Sequence, residues 1–302
     1  MSKDQPFKTG YVAIVGEPNV GKSTLMNALL GIKLSIVTRK PQTTRQRVLG
    51  ILNREDAQII FLDTPGLIKP KYLLHEKMVG QAQMALAEAD LILCLTEVSR
   101  KTDLPDEVHK LVFERYAGKP ILLIINKVDT IHKPDLLPLI EAFSKESAFK
   151  EIIPVSALKQ DNLADLVKTV MKYLPEHPPL YPTDAVSEQP ERFFVAEFVR
   201  EKVFDLYRDE IPYSTAVEIT EFKEREQGKT FISAEIVVEK DSQKGILIGK
   251  GGVALKKVGR LARNEIELFL GKPVFLELRV KVREGWRDKE GMLQKFGYGV
   301  KL

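Results

Sequence analysis

Cysteine is nearly absent. Cys94 stands alone among 302 residues, so no intramolecular disulfide can form and a thiolate metal cluster lacks ligands. No apolar run reaches the roughly 18–20 residues that a bilayer crossing requires; the longest, such as Ile121–Ile125, have the length of a strand. Histidine is also scarce: His75, His109, His132 and His177 are scattered, with no pair at helical spacing, which argues against a metal or catalytic histidine and leaves them as surface residues. Charge of one sign is not in excess either. The formal net charge is +4, too small to imply a polyanionic partner from the whole-chain balance. Met1–Thr9 lacks the apolar stretch of a secretory leader, so the expected compartment is the reducing cytoplasm.

What is present is a globular composition, 44% hydrophobic and 29% charged, in a chain long enough for two domains. Apolar runs at Tyr11–Val15, Ile59–Leu62, Leu91–Leu95, Ile121–Ile125 and Ile152–Val155 alternate with stretches of helical period, the pattern of a doubly wound α/β domain with a mostly parallel sheet. Between Pro175 and Pro190, five prolines interrupt any helix. The expected division is therefore 1–175, a linker at 176–190, and a smaller α+β domain at 191–302. In the latter, Val274, Leu276, Leu278, Val280 and Val282 alternate with Phe275, Glu277, Arg279 and Lys281, which predicts a strand with one buried face.

Directly after the first strand stands Gly16-Glu17-Pro18-Asn19-Val20-Gly21-Lys22-Ser23, followed by Thr24. Glycines let backbone N–H groups approach phosphates, Lys22 supplies a point charge, and the Ser23 hydroxyl suits Mg²⁺. The competing reading is a glycine turn capping a helix. At the end of the next apolar run, Asp63-Thr64-Pro65-Gly66 puts a carboxylate where it can hold the Mg²⁺ shell and an N–H of Gly66 within reach of a γ-phosphate. Asn126-Lys127-Val128-Asp129 closes a later strand. The two acceptors of Asp129 match the N1–H and exocyclic amine of guanine, which adenine does not present in that arrangement. After a further strand come Ser156-Ala157-Leu158, where the Ala157 N–H suits guanine O6.

In this order the four motifs resemble the translation-factor-like GTPases. The resemblance implies a P-loop GTPase fold, GTP and GDP as substrate and product, and Mg²⁺. It marks Pro41-Gln42-Thr43-Thr44-Arg45 as a first switch segment, with Thr44 as the threonine that binds Mg²⁺ and senses the γ-phosphate, and Thr43 as the alternative. Gly16, Asn19, Gly21, Lys22 and Gly66 then contact phosphates, Ser23, Thr44 and Asp63 organise Mg²⁺, and Asn126, Lys127 and Asp129 select guanine. Where Ras-like enzymes carry a water-orienting glutamine stands Leu67, so intrinsic turnover is expected to be slow. Related GTPases with asparagine at the Asn19 position use it to hold K⁺ near the phosphates; a cap on the loop is the other role open to Asn19.

The basic bias lies between Lys244 and Arg263, a segment with six Lys and Arg and no Asp or Glu before Arg263. Within it, Gly249-Lys250-Gly251-Gly252 precedes a helical stretch on which Lys256, Arg260 and Arg263 share one face, with Lys257 beside them. A glycine loop between helices admits a sugar–phosphate backbone; a solvated basic face is the plain alternative. Set in helix–strand–strand–helix–helix–strand order, it resembles a bacterial-type (type II) KH domain, whose ligand is single-stranded RNA.

Together, Pro-Asn-Val-Gly-Lys-Ser, Pro-Gln-Thr-Thr-Arg, Asp241–Gly252 and Val280–Arg287 resemble the Era family over nearly the whole chain. The resemblance implies a monomeric switch that binds the 3′ region of small-subunit ribosomal RNA, not DNA, and serves small ribosomal subunit maturation, with peripheral contact to the inner membrane in some members. Two rival readings are an RNA chaperone stabilised by guanine nucleotide, with incidental hydrolysis, and a membrane-surface GTPase. Cys94 reads as a core residue, and Trp286 as a packing anchor or a platform for a base.

Overall fold

The structure is a computed structural model that describes residues 6–99, 104–116, 118–146, 148–225 and 228–299; the reading of Met1–Thr9 therefore falls partly outside the described residues. The chain divides into two compact units, residues 1–35, 44–70 and 78–188 in the first and 36–43, 71–77 and 189–302 in the second.

In the first unit, strands β1 (Lys8–Gly16), β2 (Val48–Asn53), β3 (Ala57–Asp63), β4 (Leu91–Glu97), β5 (Ile121–Asn126) and β6 (Glu151–Pro154) form one sheet in the order β2-β3-β1-β4-β5-β6. All neighbours run parallel except β2 against β3. Helices α1 (Lys22–Leu30), α2 (Leu73–Glu88, from Met78 onward in this unit), α3 (Asp106–His109) and α4 (Lys133–Ser144) lie between strands, and α5 (Leu163–Tyr173) follows β6. Every residue of β3 is buried, as expected for a strand covered on both faces. On α5, Leu163, Leu166, Val167 and Val170 are buried, an i, i+3, i+4, i+7 stripe that docks the helix.

Strand β2 is absent from the run of strands expected above. Its sequence, Val-Leu-Gly-Ile-Leu-Asn, is interrupted by Gly50, at which a Cβ would come within 2.4 Å of Leu30 Cδ1; close packing of α1 explains a glycine that a strand would otherwise avoid. This antiparallel edge is covered by the proline-rich stretch. Ile51 N–H donates to Val186 O at 3.0 Å and Ser187 Oγ donates to Leu49 O, while Gln58 Oε1 accepts from the N–H groups of Leu180 and Tyr181 at 2.8 and 2.9 Å. An exposed edge would invite pairing with another chain.

In the second unit, α6 (Glu191–Leu206), β7 (Ala216–Lys223), β8 (Thr230–Val238), α7 (Asp241–Ile248), α8 (Val253–Leu270), β9 (Val274–Val282) and α9 (Glu290–Lys295) follow in order. The sheet is β7-β8-β9, with β7 antiparallel and β9 parallel to β8. Phe194 and Phe198 of α6 each meet Phe269 of α8 with ring centres 5.2 Å apart. Trp286 is wholly buried and its Nε1 donates to Ser214 O at 2.8 Å; it packs and has no face free for a base. His75, read as a surface residue, is buried as well. Its ring lies 3.8 Å from that of Tyr72 and its Nε2 is 3.0 Å from Gln42 Oε1, contacts that hold the ring inside the fold. Among the described residues, no helix is long and apolar enough to cross a membrane.

Candidate functional site: a triphosphate recess and a glycine loop

Strand β1 ends at Gly16, where the chain turns away from the sheet. A Cβ on Gly16 would sit 2.3 Å from Leu95 O, and one on Gly21, at φ 99°, 2.3 Å from Asn126 Nδ2. Only glycine permits both approaches. The turn delivers Lys22 and Ser23 to the first residues of α1, with the helix N-terminus behind them favouring an anion. Lys22 is buried, its Nζ donating to Gly16 O at 3.1 Å and Glu17 O at 2.7 Å. Burial lowers its pKa to about 8, against the opposing pull of Asp63 and Glu17.

Asp63, the last residue of β3, is fully buried, and burial raises its pKa against the Ser23 hydrogen bond that favours the carboxylate. Ser23 Oγ donates to Asp63 Oδ2 at 2.7 Å and lies 2.9 Å from Thr44 Oγ1. Three predicted ligands thus meet at one point. Asp63 Oδ1 is buried and makes no hydrogen bond of good geometry among the described residues, although the Ser35 hydroxyl and the Thr64 N–H lie near the carboxylate and favour its charged form; a cation is a fitting partner for that oxygen. Two hydroxyls and one carboxylate suit a hard ion that completes its shell with phosphate and water, as Mg²⁺ does. Thr43 is elsewhere: its Oγ1 donates to Lys40 O and meets Thr38 Oγ1, both at 2.8 Å.

Around this point Thr64 Oγ1 donates to Ile14 O at 2.8 Å. A Cβ on Gly66 would come within 2.8 Å of Pro18 N, so Pro65–Gly66 lies against the phosphate loop. Leu67 is buried and its N–H donates to Gly16 O at 3.1 Å; nothing on it can orient water. Asn19 holds a left-handed φ of 69°, a conformation that asparagine adopts more readily than most residues with a side chain.

At the other end of the recess, Asn126 is buried and does not offer its amide to a base. Its Nδ2 donates to Val20 O at 2.8 Å and its Oδ1 accepts from Ala157 N–H at 3.0 Å. It ties together the phosphate loop, β5 and the Ser156–Leu158 turn, and it occupies the Ala157 N–H that the sequence offered to guanine O6. Asp129 is exposed at the tip, its Oδ1 accepting from Ser156 Oγ at 2.5 Å, which fixes the carboxylate plane. Lys127, at φ 66°, pairs with Glu97. Leu158 is exposed.

In the second unit, α7 and α8 are joined by Gly249–Gly252, with φ of 70°, 61° and 77° at Gly249, Gly251 and Gly252. A Cβ on Gly249 would meet Ala254 Cβ at 2.7 Å, whereas Gly251 and Gly252 face open space. Lys250, Lys256, Lys257, Arg260 and Arg263 are exposed, while Val258, Ala262 and Ile266 are buried. Ile246 and Val253 flank the loop with 56% and 69% of their surface exposed. The sequence reading passed over both; apolar residues beside a glycine loop in a basic stretch were the available signal.

The 50S ribosome-binding GTPase family model matches residues 11–127, and a KH domain model matches residues 210–287. GTPase Era of Geobacter metallireducens is 49% identical over 298 residues, covering 98% of this chain and 99% of the relative. A crystal structure of a variant of Aquifex aeolicus Era bound to GDP·AlF4⁻ superposes with a TM-score of 0.93 at 47% identity, covering 97% of this chain and 100% of the other. A crystal structure of Era in complex with MgGDPNP and nucleotides 1506–1542 of 16S ribosomal RNA does so with a TM-score of 0.93 at 48% identity and the same coverage.

Proposed function

Because the chain belongs to the GTPase Era family, we propose that it hydrolyses GTP to GDP and phosphate, that its KH domain holds the 3′ region of small-subunit ribosomal RNA, and that it serves maturation of the small ribosomal subunit. One observation carries the nucleotide half: Ser23, Thr44 and Asp63 converge beside a buried Lys22, with one Asp63 oxygen making no hydrogen bond of good geometry among the described residues.

In this reading Gly16–Thr24 wraps the phosphates with backbone N–H groups, Lys22 exchanges its two carbonyl contacts for phosphate oxygens, and Gly66 N–H meets the γ-phosphate. Ser23, Thr44 and Asp63 would hold Mg²⁺, which supplies charge for the β- and γ-oxygens. Asp129, held by Ser156, reads guanine, and Asn126 and Lys127 shape the turn that presents it. Thr64, Pro65 and Leu158 line the path. With Leu67 buried, intrinsic turnover is slow, and Asn19 places K⁺ against the phosphates; turnover is therefore faster in KCl than in NaCl, and equal rates contradict that role.

Gly249, Lys250, Gly251 and Gly252 receive the RNA backbone, with Lys256, Lys257, Arg260 and Arg263 along its path and Ile246 and Val253 under the bases. A ribosomal partner sets the compartment as the cytoplasm. Crosslinking in cells followed by RNA sequencing tests the reading: wild type should recover the 3′ region of small-subunit RNA, and a Lys250→Glu, Lys256→Glu variant should lose it. Recovery unchanged in the variant would refute this surface. Flotation with anionic vesicles, competed by RNA, tests contact with the inner membrane.

A further inference from the structure

Residues 36–43 belong to the second unit, and three of them are bound to one helix, α6. Val37 N–H donates to Glu201 Oε1 at 3.0 Å. Lys40 Nζ meets the last carbonyls of α6 and its cap, Phe204 O and Tyr207 O, where a helix end favours a cation. Arg200 Nη2 donates to Thr43 O at 2.5 Å. Both α6 side chains are buried, Arg200 completely and Glu201 to 2% exposure.

A buried guanidinium must be paired, and Arg200 is held from two sides. Its Nε and Nη2 donate to Glu197 Oε1 and Oε2 at 2.8 and 2.5 Å, and its Cζ stands 5.3 Å from the centre of the Phe204 ring. Its Nη1 has no partner among the described residues, so Thr43 O is the one backbone group that this fork reaches. A planar fork can serve Glu197 and the Thr43 carbonyl together; an ammonium cannot reproduce that geometry. Between the anchors Gln42 is held at φ 61°, a left-handed conformation that a free segment would leave. The next residue after Thr43 is Thr44.

We propose that Arg200 is a positioning residue for GTP hydrolysis: by gripping the Thr43 carbonyl, together with Lys40 and Glu201 on the same segment, it sets the backbone from which Thr44 reaches the triphosphate. This rests on the reading of Thr44 as the γ-phosphate-sensing ligand. It assigns to a helix of the RNA-binding unit a role in hydrolysis that neither its basic face nor its glycine loop would suggest. Because GDP lacks the γ-phosphate that Thr44 would sense, loss of the anchor weakens the triphosphate complex more than the diphosphate one.

The test uses the full chain with Arg200→Gln, Arg200→Lys and, because a buried arginine can be needed for folding, the half-exposed Lys40→Met. Two readouts apply besides turnover: affinity for GDP against a non-hydrolysable GTP analogue, and amide hydrogen exchange of residues 36–45 without nucleotide. Arg200→Gln should exchange faster in 36–45 with α8 and β8 unchanged, bind the analogue about ten-fold more weakly with GDP affinity within two-fold, and lower kcat about ten-fold. Lys40→Met should move all three in the same direction, and Arg200→Lys should restore less than half. Unchanged exchange and unchanged nucleotide preference in a folded variant would overturn the proposal, as would an equal loss of GDP and analogue. If Arg200→Gln does not fold, Lys40→Met decides on the same readouts. If wild type bound neither nucleotide, the GTPase reading would fall while the exchange data still judged the anchor.

Discussion

At the scale of single residues, the recess is written in a few polar atoms whose surroundings set their chemistry. Asp129 lies in the turn after β5 with one oxygen fixed by Ser156, and a carboxylate's two acceptors match guanine donors. Hydrogen bonds to a charged group contribute about 1.5–3 kcal/mol, so Asp129→Asn should weaken GTP binding about 10- to 100-fold in a fluorescence titration. It should also improve binding of xanthosine triphosphate, whose C2 carbonyl accepts from the new amide. Cys94 makes the opposite point. Burial in β4 pushes its thiol up to about 12 from an ordinary 9.0. The thiolate is the reactive form, so the folded chain should resist iodoacetamide at pH 8 and label only on unfolding. The same shift has a sign in stability. The raised pKa stabilises the fold fully below pH 9, and that contribution is lost as pH rises toward about 12. A Cys94→Ala chain should show less loss of denaturation midpoint over that range.

At the scale of elements, strand ends and glycine turns do the placing. Gly249 sits at φ 70° with Ala254 Cβ 2.7 Å from where its own Cβ would be, while Gly251 at φ 61° faces open space. Gly251→Ala incurs the left-handed backbone cost of about 1–2 kcal/mol, while Gly249, with ψ 173°, occupies a region essentially reserved for glycine, which costs another residue about 1–3 kcal/mol, and Gly249→Ala adds a clash. Thermal melts should therefore drop more for Gly249→Ala, and both should lose RNA affinity because a Cβ blocks the phosphate path. Much of this scale was legible beforehand. Buried parallel strands are continuous apolar runs, and Gly16, Asp63 and Asn126 stand at the ends of three of them, where the motifs and their order together led the sequence reading to expect them. Strand β2 escaped because Gly50 answers to Leu30 of a different element. The burial of His75 depends on Gln42 and Tyr72. The bond between Asn126 and Ala157 joins positions 31 apart, and that between Arg200 and Thr43 positions 157 apart. Local pattern carries no trace of such pairings.

At the scale of the whole chain, the proposed function joins two anion receptors of different kinds in one polypeptide. The first is built from buried groups, burial lowering the pKa of Lys22 and raising that of Asp63. The second, in the proposed function, is an exposed glycine loop with exposed basic side chains, for which an electrostatic, salt-sensitive affinity is expected. Each phosphate contact removed should flatten the dependence of log K on log salt by about 0.7 for a single strand. Lys250→Glu with Lys256→Glu should therefore lower the slope by about 1.4, measured by filter binding between 50 and 200 mM salt. GTP binding to that variant should stay unchanged, since those residues belong to the other receptor.

Single-turnover hydrolysis of GTP, followed with and without an RNA carrying the 3′ end of small-subunit ribosomal RNA, tests the joined account most directly. Slow cleavage alone, acceleration beyond about ten-fold with the RNA, equivalent to ~1.4 kcal/mol of barrier, and loss of that acceleration in the Lys250→Glu, Lys256→Glu chain are the results predicted. Cleavage of ATP as fast as GTP, or one rate regardless of RNA, would contradict it.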